Sequence, residues 1–169
     1  IWSAGCSSGE EPYTLAIVLS EYAAQYPGFQ FGIMATDIST KVLEKARLGI
    51  YDESQIAMIP RVLKQKYFMR SKDQDKGLVR IVPGLRSTIH FHRLNLMDEY
   101  FAVPEASQDV IFCRNVMIYF ERMTQFKLLG RFCRYLRTGG HLFLGHSETV
   151  HGLNLPLVRI ASTIYRKVL

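Results

Sequence analysis

The stretch Ile1-Trp2-Ser3-Ala4-Gly5-Cys6-Ser7-Ser8-Gly9-Glu10-Glu11-Pro12-Tyr13 joins a short apolar piece to a glycine-containing turn and the start of a helix. Ile1 to Gly5 reads as the last part of a strand. Pro12 suits a first helical turn, where its missing N–H would have had no partner. Leu15, Leu19, Tyr22 and Tyr26 then recur at three- and four-residue spacing as one apolar stripe, until Pro27-Gly28 stops it. Strand, glycine turn and helix in that order open a doubly wound sheet, whose ligands bind at the carboxyl ends of the strands.

Working outward, residues 31–36 form a short apolar run ending at Asp37, the pattern of a buried parallel strand. Ser39 can cap a following helix that carries Val42, Leu43 and Ala46 and ends near Gly49. Residues 50–97 change character. Pro60 starts a short helix through Tyr67, and three strand-like pieces follow at 67–70, 78–82 and 89–94. The polar link Ser71-Lys72-Asp73-Gln74-Asp75-Lys76-Gly77 makes a hairpin of the first two. A small antiparallel insert over about residues 60–97 is therefore expected. The alternation resumes with the β-rich run Val110-Ile111-Phe112-Cys113 and a helix with Met123, Phe126, Leu129 and Phe132 on one face. Gly139-Gly140 is expected to end that helix. Residues 141–144 read as a strand, and 157–160 with 163–168 as a closing hairpin. Alternating β and α units predict an α/β fold, a mostly parallel sheet with helices on both faces.

The chain has 169 residues, 48% hydrophobic and 21% charged, which fits one soluble domain. No apolar run approaches the roughly 18 residues of a membrane span, and no signal peptide is visible, so no membrane insertion is expected. Cys6, Cys113 and Cys133 are odd in number and widely spaced, against a disulfide framework or a zinc site, and fit a reducing cytoplasm. The net charge of +6 is uneven. Residues 1–40 hold four acids and no Lys or Arg, whereas 41–97 hold twelve bases against five acids. Such a basic segment attracts acidic partners. Charge alone leaves a plain solvated surface equally open.

Four motifs could carry chemistry. The first turn spaces its glycines G-x-x-x-G with no Lys after them, unlike either phosphate-binding pattern. Glu10 and Glu11 stand where a phosphate would sit, at a helix N-terminus that favours anions. That disfavours pyrophosphate and favours a cationic ligand such as S-adenosylmethionine (SAM), with its ammonium and sulfonium. Simple helix capping by the two acids is the alternative. Asp37, at the second strand's end, can accept both hydroxyls of an adenosine ribose, or can cap a helix. Asn95, in Leu94-Asn95-Leu96, can hold an adenine through its amide, or can serve as a turn residue. Asp109-Val110-Ile111-Phe112-Cys113-Arg114-Asn115-Val116-Met117-Ile118-Tyr119-Phe120 runs an apolar strand into Arg114 and Asn115 at the active edge. Tyr119 could belong to that edge or to the core. His90 and His92 alternate on one strand face with no carboxylate or Cys to complete a metal set. His146-Ser147-Glu148 lacks a G-x-S-x-G elbow and reads as a loop after a strand.

Together these stretches resemble the CheR family of chemotaxis receptor methyltransferases. Residues 2–16, Ala35-Thr36-Asp37-Ile38-Ser39, residues 42–51, Tyr67-Phe68-Met69-Arg70, Gly77-Leu78-Val79-Arg80, Leu94-Asn95-Leu96, residues 109–120 and Gly145-His146-Ser147-Glu148 match in family order. The resemblance implies a Rossmann-like SAM-dependent methyltransferase fold with a small inserted antiparallel β-subdomain. It implies that residues 1–169 are the catalytic part, without the family's basic helical N-terminal domain and linker. It implies a cofactor site of Ala4, Gly5, Glu11, Asp37, Asn95, Leu96, Arg114 and Asn115. Glu11 would bind the methionine end and Asp37 the ribose, while Tyr119 and Arg114 face the reacting centre. SAM is the implied cofactor, S-adenosylhomocysteine the product, and no metal is required. The implied substrate is glutamate side chains in the cytoplasmic helical region of methyl-accepting chemotaxis receptors. In some members a receptor C-terminal peptide docks on the β-subdomain. Three other readings stand beside this one. A non-catalytic methyltransferase-fold binding module would bind cofactor without transfer. A nucleic-acid methyltransferase suits the pI of about 9.3. Against it, the sequence has no aromatic-rich basic patch and no D/N-P-P-Y/F motif, so no nucleic acid partner is expected. A nicotinamide dehydrogenase fails on glycine spacing.

Overall fold

The computed structural model describes residues 1–71, 77–148, 150, 152 and 154–168. In chain order the elements are β1 (Trp2–Ala4), α1 (Glu10–Gln25), β2 (Ile33–Asp37), α2 (Thr40–Leu48), β3 (Ile50–Asp52), α3 (Arg61–Tyr67), β4 (Phe68–Arg70), β5 (Leu78–Ile81), α4 (Pro83–Arg86), β6 (Ile89–Arg93), β7 (Gln108–Cys113), α5 (Arg122–Tyr135), β8 (Leu136–Leu144), β9 (Leu157–Ala161) and β10 (Ile164–Lys167). The chain divides into two compact units, Cys6–Arg93 and Ile1–Gly5 with Leu94–Leu169. Among the described residues, no helix is long and apolar enough to cross a membrane.

In the unit Cys6–Arg93, β2 and β6 pair in parallel, Ile33 opposite Ile89 through Asp37 opposite Arg93. Helix α1 buries Pro12, Tyr13, Ala16 and Ile17. The expected stripe does not match that face: Tyr22 and Tyr26 are 46% and 52% exposed and stack on each other 4.3 Å apart. Tyrosine packs through its ring while its hydroxyl stays in water, so an apolar period that counts tyrosines overstates burial. Helix α2 begins as expected, with Ser39 Oγ accepting the Val42 N–H at 3.5 Å, and Gly49 closes it with φ +60.

The small antiparallel sheet is present, in the order β3-β5-β4, with Tyr51 opposite Val79 and Met69 opposite Arg80. Its membership corrects the expectation. The piece at 89–94 is not part of it, because β6 belongs to the parallel pair with β2, and β3 supplies the third strand. Strand pairing is non-local, and a short apolar run carries no mark of its partner. The link at 72–76 lies outside the described residues.

In the other unit, β1 pairs with β7 and β7 with β8, both in parallel. β10 pairs antiparallel with β8 and with β9, giving the closing hairpin. Helix α5 buries Leu128, Leu129, Phe132, Cys133 and Tyr135, while Met123 is exposed. Gly139-Gly140 does not end this helix. The helix stops at Tyr135 and both glycines lie inside β8, where the register with β7 shifts. Gly139 takes φ +79, and a Cβ on Gly140 would sit 2.9 Å from Arg137 O and 3.0 Å from Asp109 O. The pair is a bulge that only glycine fits. The core gathers on Trp2, which is fully buried and meets Phe101, Phe132 and Tyr135 edge to face.

Candidate cofactor site

Within the unit Cys6–Arg93, the turn ahead of α1 is fixed by its own backbone. Cys6 N–H donates to Thr36 O at 2.9 Å, and Ser7 takes the left-handed φ of +49. The Asp37 carboxylate holds that strained residue: Oδ2 accepts the Ser7 N–H at 2.9 Å and Oδ1 the Ser39 N–H at 3.0 Å. Each oxygen keeps a second lone pair, so a half-buried carboxylate here can still accept two ligand hydroxyls. Gly9, at φ +97, is the N-cap of α1, without a side-chain cap. Glu10 is drawn aside by Ser8 Oγ, which donates to both carboxylate oxygens at 2.7 and 2.9 Å. Glu11, in the first turn, is half-buried. Tyr51 O–H donates to Ser8 O at 2.8 Å, which ties the small sheet to the turn.

Cys6 is buried in this turn. Burial first, then the negative charges of Asp37, Glu11 and Glu10, push its thiol up to about 12 from an ordinary 9.0. Burial likewise raises the Cys133 thiol to about 11. Only the thiolate is nucleophilic. Iodoacetamide at pH 8 is therefore expected to leave Cys6 and Cys133 unmodified in the folded protein and to label both in urea. Mass spectrometry reads this directly, and rapid native labelling of Cys6 would contradict the buried turn. The sign for stability follows from raised folded values. The contribution is complete below about pH 9 and is lost as pH climbs toward 12, because the unfolded thiols ionise first.

In the other unit, Ala4 is buried and Gly5 takes φ +80. A Cβ on Gly5 would collide with Val116 Cγ2, so the loop after β7 approaches to glycine distance. Asn95 forms an Asx turn: its Oδ1 accepts the Met97 N–H at 3.0 Å and its main-chain oxygen the Asp98 N–H at 3.0 Å. Leu96 is buried beside it. Arg114 and Asn115 emerge exposed at the end of β7, Asn115 with φ +58. Tyr119, on the 3-10 turn Met117–Tyr119, is 80% exposed, which rules out core packing.

Sequence reasoning missed Glu148. Its carboxylate is 7% exposed and accepts from the backbone N–H groups of Asn115 (3.2 Å), Val116 (3.0 Å), Met117 (2.7 Å) and Gly145 (2.7 Å). The available signal was an acid three residues after a glycine at a strand's end. Among the described residues, no group of three or more His, Cys, Asp or Glu is gathered as a metal site.

A glycine turn with acids and no basic side chain, and an acid fixed at the end of the next strand, suit a cationic adenosyl ligand. A SAM-dependent methyltransferase from Methanosarcina mazei has a similar fold, with TM-score 0.50 and 16% identity, over 85% of this chain and 50% of that one. That likeness is one of fold, of the Rossmann-like α/β class. The family described as CheR methyltransferase, SAM binding domain, matches residues 1–166, and the chain belongs to that family. Its relatives include the chemotaxis protein methyltransferase of Borreliella burgdorferi, 48% identical over 99% of this chain and 58% of the relative. That of Salmonella typhimurium is 42% identical over 98% of this chain and 57% of the relative. The chain thus spans a little over half the length of these relatives.

Proposed function

We propose that this chain is the catalytic domain of a protein-glutamate O-methyltransferase that esterifies glutamate side chains of methyl-accepting chemotaxis receptors in the cytoplasm. The observation that carries the reading is the Asp37 carboxylate fastened to the Ser7 N–H of an acidic, phosphate-averse turn. Family membership and the relatives' name, chemotaxis protein methyltransferase, support the reaction.

The residues present fit SAM. Asp37 takes the ribose hydroxyls, and Glu11 the ammonium of the methionine end. Ala4 and Gly5 give close backbone approach, while Asn95, Leu96, Arg114 and Asn115 hold the remainder. When bound, SAM supplies an electrophilic S-methyl group and leaves as S-adenosylhomocysteine. A free glutamate has a pKa near 4.3, so the receptor nucleophile is already ionised at neutral pH and the chain need not supply a base. The work left to Tyr119 and Arg114 is to orient the carboxylate in line with the S-methyl bond. No metal enters this chemistry. The basic excess of residues 41–97 suits the acidic face of a receptor's cytoplasmic helical region, and the small sheet is a platform for a receptor C-terminal peptide.

Calorimetric titration of the protein with S-adenosylhomocysteine tests the reading. Micromolar binding is expected for wild type. Removing the charge at Glu11 (Glu11→Ala) is expected to weaken it about tenfold, the worth of one charged hydrogen bond. No binding by wild type would overturn the proposal.

A further inference from the structure

Glu148 has no place in the site as the family resemblance describes it, yet its carboxylate accepts from four backbone N–H groups. Its Oε1 accepts from Val116 and Met117, and its Oε2 from Asn115 and Gly145. Three successive backbone N–H groups turned toward one point form an anion-binding concavity, here filled by the chain's own side chain. The residues so held are the loop between β7 and the turn that carries Tyr119. β7 and β8 are neighbours, with Cys113 opposite Leu144, and Glu148 ties their carboxyl ends together. Asn115 takes φ +58, a left-handed conformation that asparagine tolerates better than most residues. Space at the clamp is tight as well. A Cβ on Gly145 would lie 2.7 Å from Asn115 Oδ1 and 2.8 Å from Glu148 Oε2.

We infer that Glu148 is a positioning residue of the cofactor site: its carboxylate fixes the loop bearing Arg114 and Asn115 in the shape that receives SAM. The inference rests on the proposed reading of that loop as part of a SAM site. Only an acceptor-only group meets four donors at once. A glutamine would turn its own NH2 toward two of them. With the carboxylate in place, the loop is ordered before the ligand arrives, and binding does not have to order it.

The test compares wild type, Glu148→Gln and Gly145→Ala by calorimetry and by thermal unfolding with and without S-adenosylhomocysteine. Glu148→Gln is expected to weaken binding at least about tenfold, since buried donors lose their acceptor. Gly145→Ala, which presses on the clamp while keeping the carboxylate, is expected to weaken it several-fold. The diagnostic quantity is the rise in melting temperature that the ligand produces, which follows affinity. A purely structural Glu148 would lower the ligand-free midpoint and leave that rise unchanged. Wild-type affinity and an unchanged rise in folded Glu148→Gln would overturn the inference and leave the cofactor reading standing. Should Glu148→Gln fail to fold, Gly145→Ala decides by the same criterion. Absence of binding by wild type would instead sink the cofactor reading, and the inference with it.

Discussion

The Asp37→Ala protein is expected to bind S-adenosylhomocysteine at least about a hundredfold more weakly than wild type while keeping nearly its full stability. Two contributions add. A carboxylate accepting two ribose hydroxyls makes two charge-assisted hydrogen bonds, each worth about 1.5–3 kcal/mol. The same carboxylate also holds the N–H of Ser7, which sits at a left-handed φ of +49. Stability suffers less, because water can replace the lost oxygen at the exposed Ser7 N–H, and only the part-buried Ser39 N–H loses a sheltered acceptor. The Asp37→Asn protein should fall between the two, since its amide keeps one acceptor and faces the other site with a donor. Calorimetry gives the affinities and urea unfolding the stabilities. Near-wild-type affinity in Asp37→Ala would remove the ribose role from this residue.

The largest loss of stability is expected at Trp2. Its side chain is fully buried, with ring centroids 5.3 Å from Phe101, 5.3 Å from Phe132 and 6.2 Å from Tyr135. Interplanar angles of 79°, 88° and 89° make all three edge-to-face contacts, the favoured geometry for aromatic pairs. Trp2→Ala should cost about 3–5 kcal/mol, the usual range for emptying a large aromatic site. The neighbours are held in place and cannot collapse into the void: Tyr135 Oη accepts the Phe101 N–H at 2.9 Å. Trp2→Phe should recover more than half of the loss. The protein has one tryptophan, so unfolding should be followed by circular dichroism. A change under about 1 kcal/mol in Trp2→Ala would mean that this cluster is not the core of its unit.

The alternating pattern, the caps at Ser39 and Gly49, and the closing hairpin were legible in the sequence because each depends on residues a few positions apart. Pairing was not. The 89–94 piece looks like any short apolar strand, and only its partner Ile33–Asp37 takes it out of the small sheet. Gly139-Gly140 carries the signature of a helix end, and its use as a bulge depends on β7 alongside. Of the proposed site, Glu11, Asp37, Asn95, Arg114 and Asn115 could be put forward as candidates because a motif lies at or near a strand end. Glu148 was not, because three of its four partners lie 31 to 33 residues earlier and all four are backbone amides, which leave little trace in side-chain spacing. Tyr119 was ambiguous between core and site edge, and its exposure removes the core reading alone.

The sequence separation of contacting residues differs between the two units, which bears on assembly during synthesis. Cys6–Arg93 is continuous, so its contacts can close once Arg93 has left the ribosome. The other unit is split: β1 must wait for Ile111 to pair with Trp2, and Phe132 must follow to cover the ring. Such long sequence separations slow folding, because loop closure precedes the contacts that reward it. The β1 edge that faces β7 therefore stays open until Ile111 has been made, and the indole of Trp2 lacks its Phe132 contact for longer still, the interval in which a chaperone has most to shield.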